Sequence, residues 1–374
     1  MRIQRYFVPF VVVVVMLAVA GIFHQGGRSP DTPTAAPAGF VYRQGSQLML
    51  NGQQYKFAGL NASSWFGCWT GEKEATTDAD LDRYFRELNP RSMTRVWHYP
   101  GRQDLGLMRR IEAAAARYGQ FLMVTLTDGN DGGSQCGGLP LNYADPAPLI
   151  AHARAVVAPF ATSAAIAVWE VCNGCSVEPG LTKSWYRAVT DEIKRLSPNT
   201  LVALGASCHR GQALFEDCLS TNDLPGNDLI GFQEFDDDGG DASHWADETA
   251  QLADDLEKPA YISATGVANN GGDCGSYACN VTQMIEEFDS YLADTEFAGV
   301  LWWGFKWTRD DLVTVTLGNP YWPAMSAYRH PYNGGGLSPP TSTNLLSQKK
   351  PVTASTVYPG FAAANAVDGN SSTR

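Results

Sequence analysis

Polar and aromatic side chains stand at or just beyond the ends of several short apolar runs in this chain. The residues that carry this pattern are Trp65, Arg95, Trp97, Asn173, Gln233 and Trp303. Aromatic faces stack on the C–H faces of sugar rings, and amide and guanidinium groups form hydrogen bonds with hydroxyl groups. Brought together, these side chains would form a binding site for a neutral, polar ligand such as a carbohydrate.

The composition agrees with a folded protein whose partner is not a polyanion. The chain has 374 residues, 27 basic and 39 acidic, for a net charge of −12, and 44% of its residues are hydrophobic. Such a chain is too apolar to be disordered, and it offers nucleic-acid phosphates no basic surface. The six His are scattered and a second C-x-x-C motif is missing from the sequence, so neither a metal nor another cofactor is expected.

Short apolar strands alternate with longer amphipathic helices, and these elements must position the candidate residues. The predicted strands span 55–61, 92–98, 121–126, 165–171, 201–205, 229–235, 260–263 and 299–305. The predicted helices span 78–88, 107–118, 148–158, 185–196, 244–256 and 281–292. Eight such units predict an α/β protein with a closed (β/α)₈ TIM barrel, in which chemistry takes place at the C-terminal ends of the strands. The segment 40–56, with Gly45 and Gly52, predicts a preceding hairpin.

The predicted barrel covers residues 40–330, and other segments lie on both sides of it. Arg2 and Arg5 precede an apolar run, so residues 1–23 are typical of an export signal. A cleaved signal and an uncleaved membrane anchor both remain open, because the run is near the minimum length of a membrane span. Either one places the barrel outside the cytoplasm, as a secreted or extracellular protein. Residues 24–39 and 331–343 have the composition of linkers.

Eight cysteines in an exported chain predict disulfide bonds. The candidate pairs are Cys208–Cys218, Cys274–Cys279 and, as a further hypothesis, Cys68–Cys136. Cys172 and Cys175 have the C-x-x-C spacing of thiol–disulfide oxidoreductases. They follow a strand-like run without a helix signal behind them, which favours paired cysteines over a redox site.

Four segments resemble, in the same order, those of secreted family 5 glycoside hydrolases, the β-mannanase and cellulase group. These are residues 40–61, Thr-Arg-Val-Trp at 94–97, Ala-Val-Trp-Glu-Val-Cys-Asn at 167–173 and Gly-Val-Leu-Trp-Trp-Gly at 299–304. The resemblance implies a barrel that holds a polysaccharide such as mannan or β-glucan. It implies that Arg95 and Asn173 hold sugar hydroxyls and that Trp303 is the stacking floor.

The departures from this family concern its two catalytic carboxyl groups. Retaining glycosidases need a nucleophile and an acid/base roughly 5 Å apart. Gly174 stands where the resemblance places the acid/base, and Ala264 where it places the nucleophile. The resemblance therefore implies a catalytically degenerate carbohydrate-binding protein. The alternative is an active endo-β-glycanase that uses displaced carboxylates, for which Glu178 and Glu234 are the candidates.

Two further expectations follow from the same comparison of motifs. Glu170 is interpreted as structural, because the family has a Glu at this position in addition to its acid/base.

Residues 344–374 resemble the start of a discoidin-like module, also called coagulation factor five/eight type C, which often binds carbohydrate. A β-sandwich of this kind needs on the order of 100 residues, so a truncated module is expected.

Overall fold

The computed structural model describes residues 37–67, 76–129, 141–177, 180–207, 215–233, 242–266, 277–294, 296–306, 314–319 and 321–332. The predicted signal, most of the two predicted linkers and the discoidin-like segment lie outside these residues. So do Glu178 and Glu234. Predictions that concern these segments stay predictions.

An antiparallel meander of three strands precedes the barrel. It consists of β1 (Val41–Gln44), β2 (Gln47–Leu50) and β3 (Gln53–Tyr55), paired in that order. The sequence analysis predicted a hairpin here, and the structure adds a third strand after the second turn. Leu48, Leu50 and Tyr55 of the meander join a buried cluster with side chains from inside the barrel, including Phe57 and Met93. The meander therefore contributes to the core at the N-terminal ends of the barrel strands.

Eight parallel strands form the barrel. Their bounds are β4 (Phe57–Asn61), β5 (Met93–Trp97), β6 (Phe121–Thr125), β7 (Ile166–Glu170), β9 (Leu201–Ala203), β11 (Ile230–Gln233), β12 (Ala260–Thr265) and β13 (Phe297–Trp302). They pair in the order β11-β12-β13-β4-β5-β6-β7-β9, and a bridge between Ala203 and Leu229 links the two ends. The predicted (β/α)₈ barrel is confirmed. Two short strands, β8 (Cys175–Ser176) and β10 (Ala206–Ser207), pair outside it.

The helices pack around the barrel strands. Those described are α1 (Asp78–Glu87), α2 (Leu105–Arg117), α3 (Ala147–Val157), α4 (Thr182–Leu196), α5 (Phe215–Asn222), α6 (Ala242–Asp255), α7 (Tyr277–Ala293) and α8 (Tyr321–Ala327). A capping box begins α1: the Thr77 hydroxyl accepts from the Asp80 amide at 3.1 Å, and the Asp80 carboxylate accepts from the Thr77 amide at 3.2 Å. In the described part of the chain, no helix is both long and apolar enough to cross a membrane.

The strands β4 to β7 are buried along their whole length, as expected of parallel strands covered on both faces. Because all eight strands run in the same direction, their C-terminal ends meet at one rim, here called the barrel mouth. Trp97, Gln233 and Trp303 lie at or next to these strand ends, and Asn173 follows β7.

Candidate functional site

Asn173 is the centre of a hydrogen-bond network in the barrel mouth. It follows β7 and forms a parallel bridge with Asp128, which follows β6. Its Oδ1 accepts from Arg95 Nη2 at 2.9 Å and from Gln233 Nε2 at 2.7 Å, while its Nδ2 donates to Asp128 Oδ1 at 3.1 Å. The structure therefore brings three of the predicted site residues, Arg95, Asn173 and Gln233, into direct contact. Gln233 is the most exposed of the three.

Arg95 forms a fully buried ion pair with Glu170 below this network. Its Nε and Nη2 donate to Glu170 Oε2 at 2.8 and 2.5 Å, and its Nη1 donates to Asn61 Oδ1 at 3.1 Å. Arg95 thus forms hydrogen bonds with three side chains of the barrel. The hydrogen bond from its Nη2 to Asn173 orients the Asn173 amide at the mouth.

Glu170 receives two more hydrogen bonds from residues that the sequence analysis did not identify. Thr125 donates to Oε2 and Tyr261 donates to Oε1, both at 2.5 Å. Burial, followed by the charge of Glu170, raises the pKa of Tyr261, so its phenol stays protonated as a donor. A carboxylate surrounded by donors inside the barrel holds the site together, as expected for Glu170, and is poorly placed to take a proton from a ligand. The inward alternation of residues along β6 and β12 is the sequence signal that points to Thr125 and Tyr261.

Two of the predicted tryptophans pack against each other at the barrel mouth. The rings of Trp97 and Trp303 have centroids 5.1 Å apart and are tilted by 41°. The Arg95 guanidinium carbon lies 5.4 Å from the Trp97 centroid on one side, and Tyr99 stacks on Trp97 at 5.8 Å. Both indoles are almost fully buried, with Trp303 6% exposed and Trp97 1%. Their contact with a sugar stays a prediction.

The structure places Trp65 away from this pair, in the core between the barrel and its helices. Its ring meets those of Tyr84 at 5.1 Å, Phe85 at 5.9 Å and Phe305 at 5.9 Å, and it is 1% exposed. Trp65 therefore packs as a core residue, whereas the sequence analysis placed it in the binding site. A Trp that follows a strand can lie either in the core or in a binding site. The alternation of inward and outward side chains along the strand does not continue into the short helical turn that contains Trp65, so the sequence pattern does not decide between the two.

The residues at the two catalytic positions of the resemblance carry no titratable group. Gly174 has a left-handed backbone with φ 64° and its amide donates to the Gly205 carbonyl at 3.0 Å. It lies between Cys172 and Cys175, which form a disulfide with both residues buried. Ala264 lies within β12, 1% exposed, and is the register partner of Gln233. Within the described residues, moreover, no cluster of His, Cys, Asp or Glu could hold a metal ion.

The barrel is similar to the barrels of known proteins. The computed structure superposes on a family 5 glycoside hydrolase, a mannosidase from Rhizomucor miehei, with a TM-score of 0.59 at 14% identity, covering 79% of this chain and 97% of that one. This chain therefore has a (β/α)₈ barrel fold similar to that of this glycoside hydrolase. An endo-β-1,4-glucanase of Xanthomonas axonopodis with the same barrel gives a TM-score of 0.55 at 14% identity, covering 72% of this chain and 98% of that one.

Sequence similarity adds a relationship to mannanases. A probable mannan endo-1,4-β-mannosidase A from Aspergillus oryzae is 24% identical over 216 residues, which are 46% of this chain and 54% of that protein. The corresponding protein of Aspergillus clavatus is 26% identical over 218 residues, 51% of this chain and 58% of that one. The chain thus spans about half the length of the curated relatives that it matches. No family model matches it.

Proposed function

We propose that this protein binds a β-linked polysaccharide in the mouth of its family 5 barrel without hydrolysing it. The observation that carries the proposal is the combination of a polar and aromatic mouth with Gly174 and Ala264, which stand where the resemblance places the two catalytic carboxyl groups. Glycine and alanine have no group that transfers a proton or attacks a sugar carbon. The loss of acid/base assistance alone lowers a rate by about 10²–10⁴-fold, and the loss of the nucleophile lowers it further.

The carboxylates described at the mouth support this proposal because each is already engaged. Glu170 accepts from Arg95, Thr125 and Tyr261, and the Asp128 carboxylate accepts from Asn173. A retaining mechanism requires two carboxyl groups free to approach one glycosidic bond from opposite sides. The alternative hypothesis assigns hydrolysis to the displaced carboxylates Glu178 and Glu234.

The chemistry of the mouth and the names of the relatives indicate which glycans to test. The proposed ligand contacts are the Trp303 and Trp97 rings for the sugar faces, and Asn173 and Gln233 for the hydroxyl groups. Arg95, which is fully buried, acts through its hydrogen bond to Asn173. The similar proteins are named for action on mannan and on β-1,4-glucan. We therefore place mannan first and β-glucan second among the candidate partners.

The proposed location is outside the cytoplasm. The buried disulfide between Cys172 and Cys175 is the structural feature that supports it, since disulfides persist in oxidising compartments. The apolar start of the sequence supports it as well.

Titration of the full chain with β-1,4-mannooligosaccharides and cellooligosaccharides, followed by tryptophan fluorescence, tests the binding function. A saturable signal is expected. Asn173→Ala should weaken binding at least about tenfold, because it removes a ligand contact and the acceptor that orients Gln233. Asn227→Ala is the matched control: this amide is also buried and hydrogen-bonded, but it lies before β11, at the opposite end of the barrel. Equal losses in both variants, or no saturable signal, would contradict the proposal.

A further inference from the structure

The segment from Cys172 to Cys175, here called the mouth loop, is bonded to the strand ends on both sides of it. On one side the Asn173 amide donates to the Thr127 carbonyl and the Gly129 amide donates to the Asn173 carbonyl, both at 2.9 Å. On the other side the Cys172 amide donates to the Leu204 carbonyl at 3.1 Å. The bond from Gly174 to Gly205 completes this second contact. The loop thus joins the ends of β6, β7 and β9.

Two glycines let the adjacent segments of the chain approach the mouth loop more closely than a residue with a side chain would allow. A Cβ at Gly205 would lie 1.7 Å from the Cys172 carbonyl oxygen, and one at Gly129 would lie 2.5 Å from the Cys175 Cα. Both contacts are with backbone atoms, which cannot move aside without shifting the loop. The loop is therefore held between two chain segments, and its own ends are joined covalently, with Cα atoms 5.7 Å apart.

The side chain inside this loop is Asn173, whose amide has one defined orientation. Arg95 is only a donor, so the atom that faces it at 2.9 Å must be the acceptor Oδ1. Nδ2 then faces the Asp128 carboxylate. A short glycine-containing loop closed only by hydrogen bonds would sample other backbone conformations, and the amide would lose this alignment in part of the population.

We infer that the Cys172–Cys175 disulfide is a positioning element of the binding site, which holds the Asn173 amide in its ligand-ready orientation while the mouth is empty. This inference rests on the proposed carbohydrate-binding function. Its physical basis is preorganisation, since a site that is already ordered loses less conformational freedom when the ligand binds. The C-x-x-C motif then acts in recognition, as a fixed covalent bond, and not in electron transfer.

The test replaces both cysteines, as Cys172→Ala/Cys175→Ala, in the full chain. Hydrogen exchange should become at least about tenfold faster for the amides of Asn173 and Gly129, with the amides of β5 and β12 unchanged. Affinity for the mannooligosaccharide that the wild-type protein binds best should fall about fivefold to tenfold. Val156→Ala, in the buried face of α3, is the control for a general loss of stability. It should change neither the exchange of the mouth loop nor the affinity.

The outcomes separate this inference from the proposed function. Unchanged exchange in the mouth loop of the double variant overturns the positioning role, whether or not a glycan binds. Faster exchange without any binding by the wild-type protein contradicts the proposed function and leaves the positioning of Asn173 supported. If the double variant does not fold, the wild-type protein is compared before and after reduction of the Cys172–Cys175 bond with a phosphine, with two free thiols confirmed by mass. The reduced protein should give the same faster exchange, and protection as in the oxidised protein would overturn the inference.

Discussion

Arg95 and Glu170 form an ion pair from which water is excluded, with Arg95 Nη2 2.5 Å from Glu170 Oε2 and both side chains fully buried. The pair stands directly below the Asn173 amide and ties β5 to β7. Glu170, next to the mouth, therefore contributes to the buried structure that supports the site.

Neutralising this glutamate should destabilise the fold strongly. Glu170→Gln keeps the shape but leaves the Arg95 charge buried without its counter-ion, and we expect a loss of about 3–5 kcal/mol in the free energy of unfolding. Asp78→Asn breaks an exposed ion pair with Arg110 and should cost less than about 1 kcal/mol. Urea unfolding of both variants measures the difference. Equal losses of unfolding free energy in the two variants would show that the buried ion pair stabilises the fold no more than the exposed one.

Buried histidines should make the fold sensitive to acid. The rings of His98 and His152 lie nearly parallel, with centroids 5.6 Å apart. His98 Nε2 accepts from the Asp104 amide, and His152 Nε2 donates to the His98 carbonyl. Burial lowers the pKa of both to about 4, and the neighbouring His152 contributes to the shift of His98. The unfolded chain therefore binds more protons than the folded one as the pH falls below about 6.5.

The free energy of unfolding should accordingly decrease from pH 6.5 towards pH 4, by up to about 3 kcal/mol for each histidine. Urea midpoints at pH 7, 5.5 and 4.5 measure this decrease. His152→Gln keeps a donor for the His98 carbonyl and removes one titrating ring, so its decrease should be smaller. The same slope in the wild type and in the variant would contradict the assignment.

The close backbone contact at Gly205 should make its replacement by alanine more destabilising than the same replacement at a control glycine of equal backbone conformation. Gly205 and Gly119 have φ values of 64° and 63°, but only at Gly205 would a Cβ meet another atom within 4 Å. Gly119→Ala should cost about 1 kcal/mol for its backbone conformation, and Gly205→Ala several times more. Thermal unfolding of the two variants separates the effect of the backbone conformation from that of the added Cβ contact. Similar losses of stability in both variants would argue against a tightly held mouth loop.

The two kinds of tryptophan should respond differently to the same substitution. Trp65→Phe should lower the free energy of unfolding by about 1–3 kcal/mol, because it leaves a gap in the core, and should leave glycan affinity unchanged. Trp303→Phe should weaken glycan binding about threefold to tenfold, because the stacking surface shrinks. A loss of affinity in Trp65→Phe equal to that in Trp303→Phe would reverse these assignments.

The barrel could be predicted from sequence because its strands are nearly continuous apolar runs separated by amphipathic helices. All eight predicted strands are present, with ends shifted by a few residues. The helices α5 and α8 were missed, since they have only 8 and 7 residues and too few turns to show a helical period. The third strand of the meander was missed because β3 has only three residues.

The contact among three candidate residues was predictable from their places near the strand ends, while their role in binding stays a prediction. Arg95, Asn173 and Gln233 meet because parallel strands carry their C-terminal ends to one rim. The Tyr261 bond to Glu170 spans 91 residues of sequence, and it depends on a barrel register that the sequence pattern does not define. The burial of Trp65 depends in the same way on tertiary packing.

The most direct test of the central claim is one incubation of the full chain with mannohexaose, with binding and cleavage measured in the same sample. Tryptophan fluorescence reports binding, and mass spectrometry of the sugars over a day reports products. We expect saturable binding and no product above a heat-denatured control. Steady release of shorter oligosaccharides that is lost in Glu178→Gln or Glu234→Gln would contradict the account and establish an active hydrolase with displaced carboxylates.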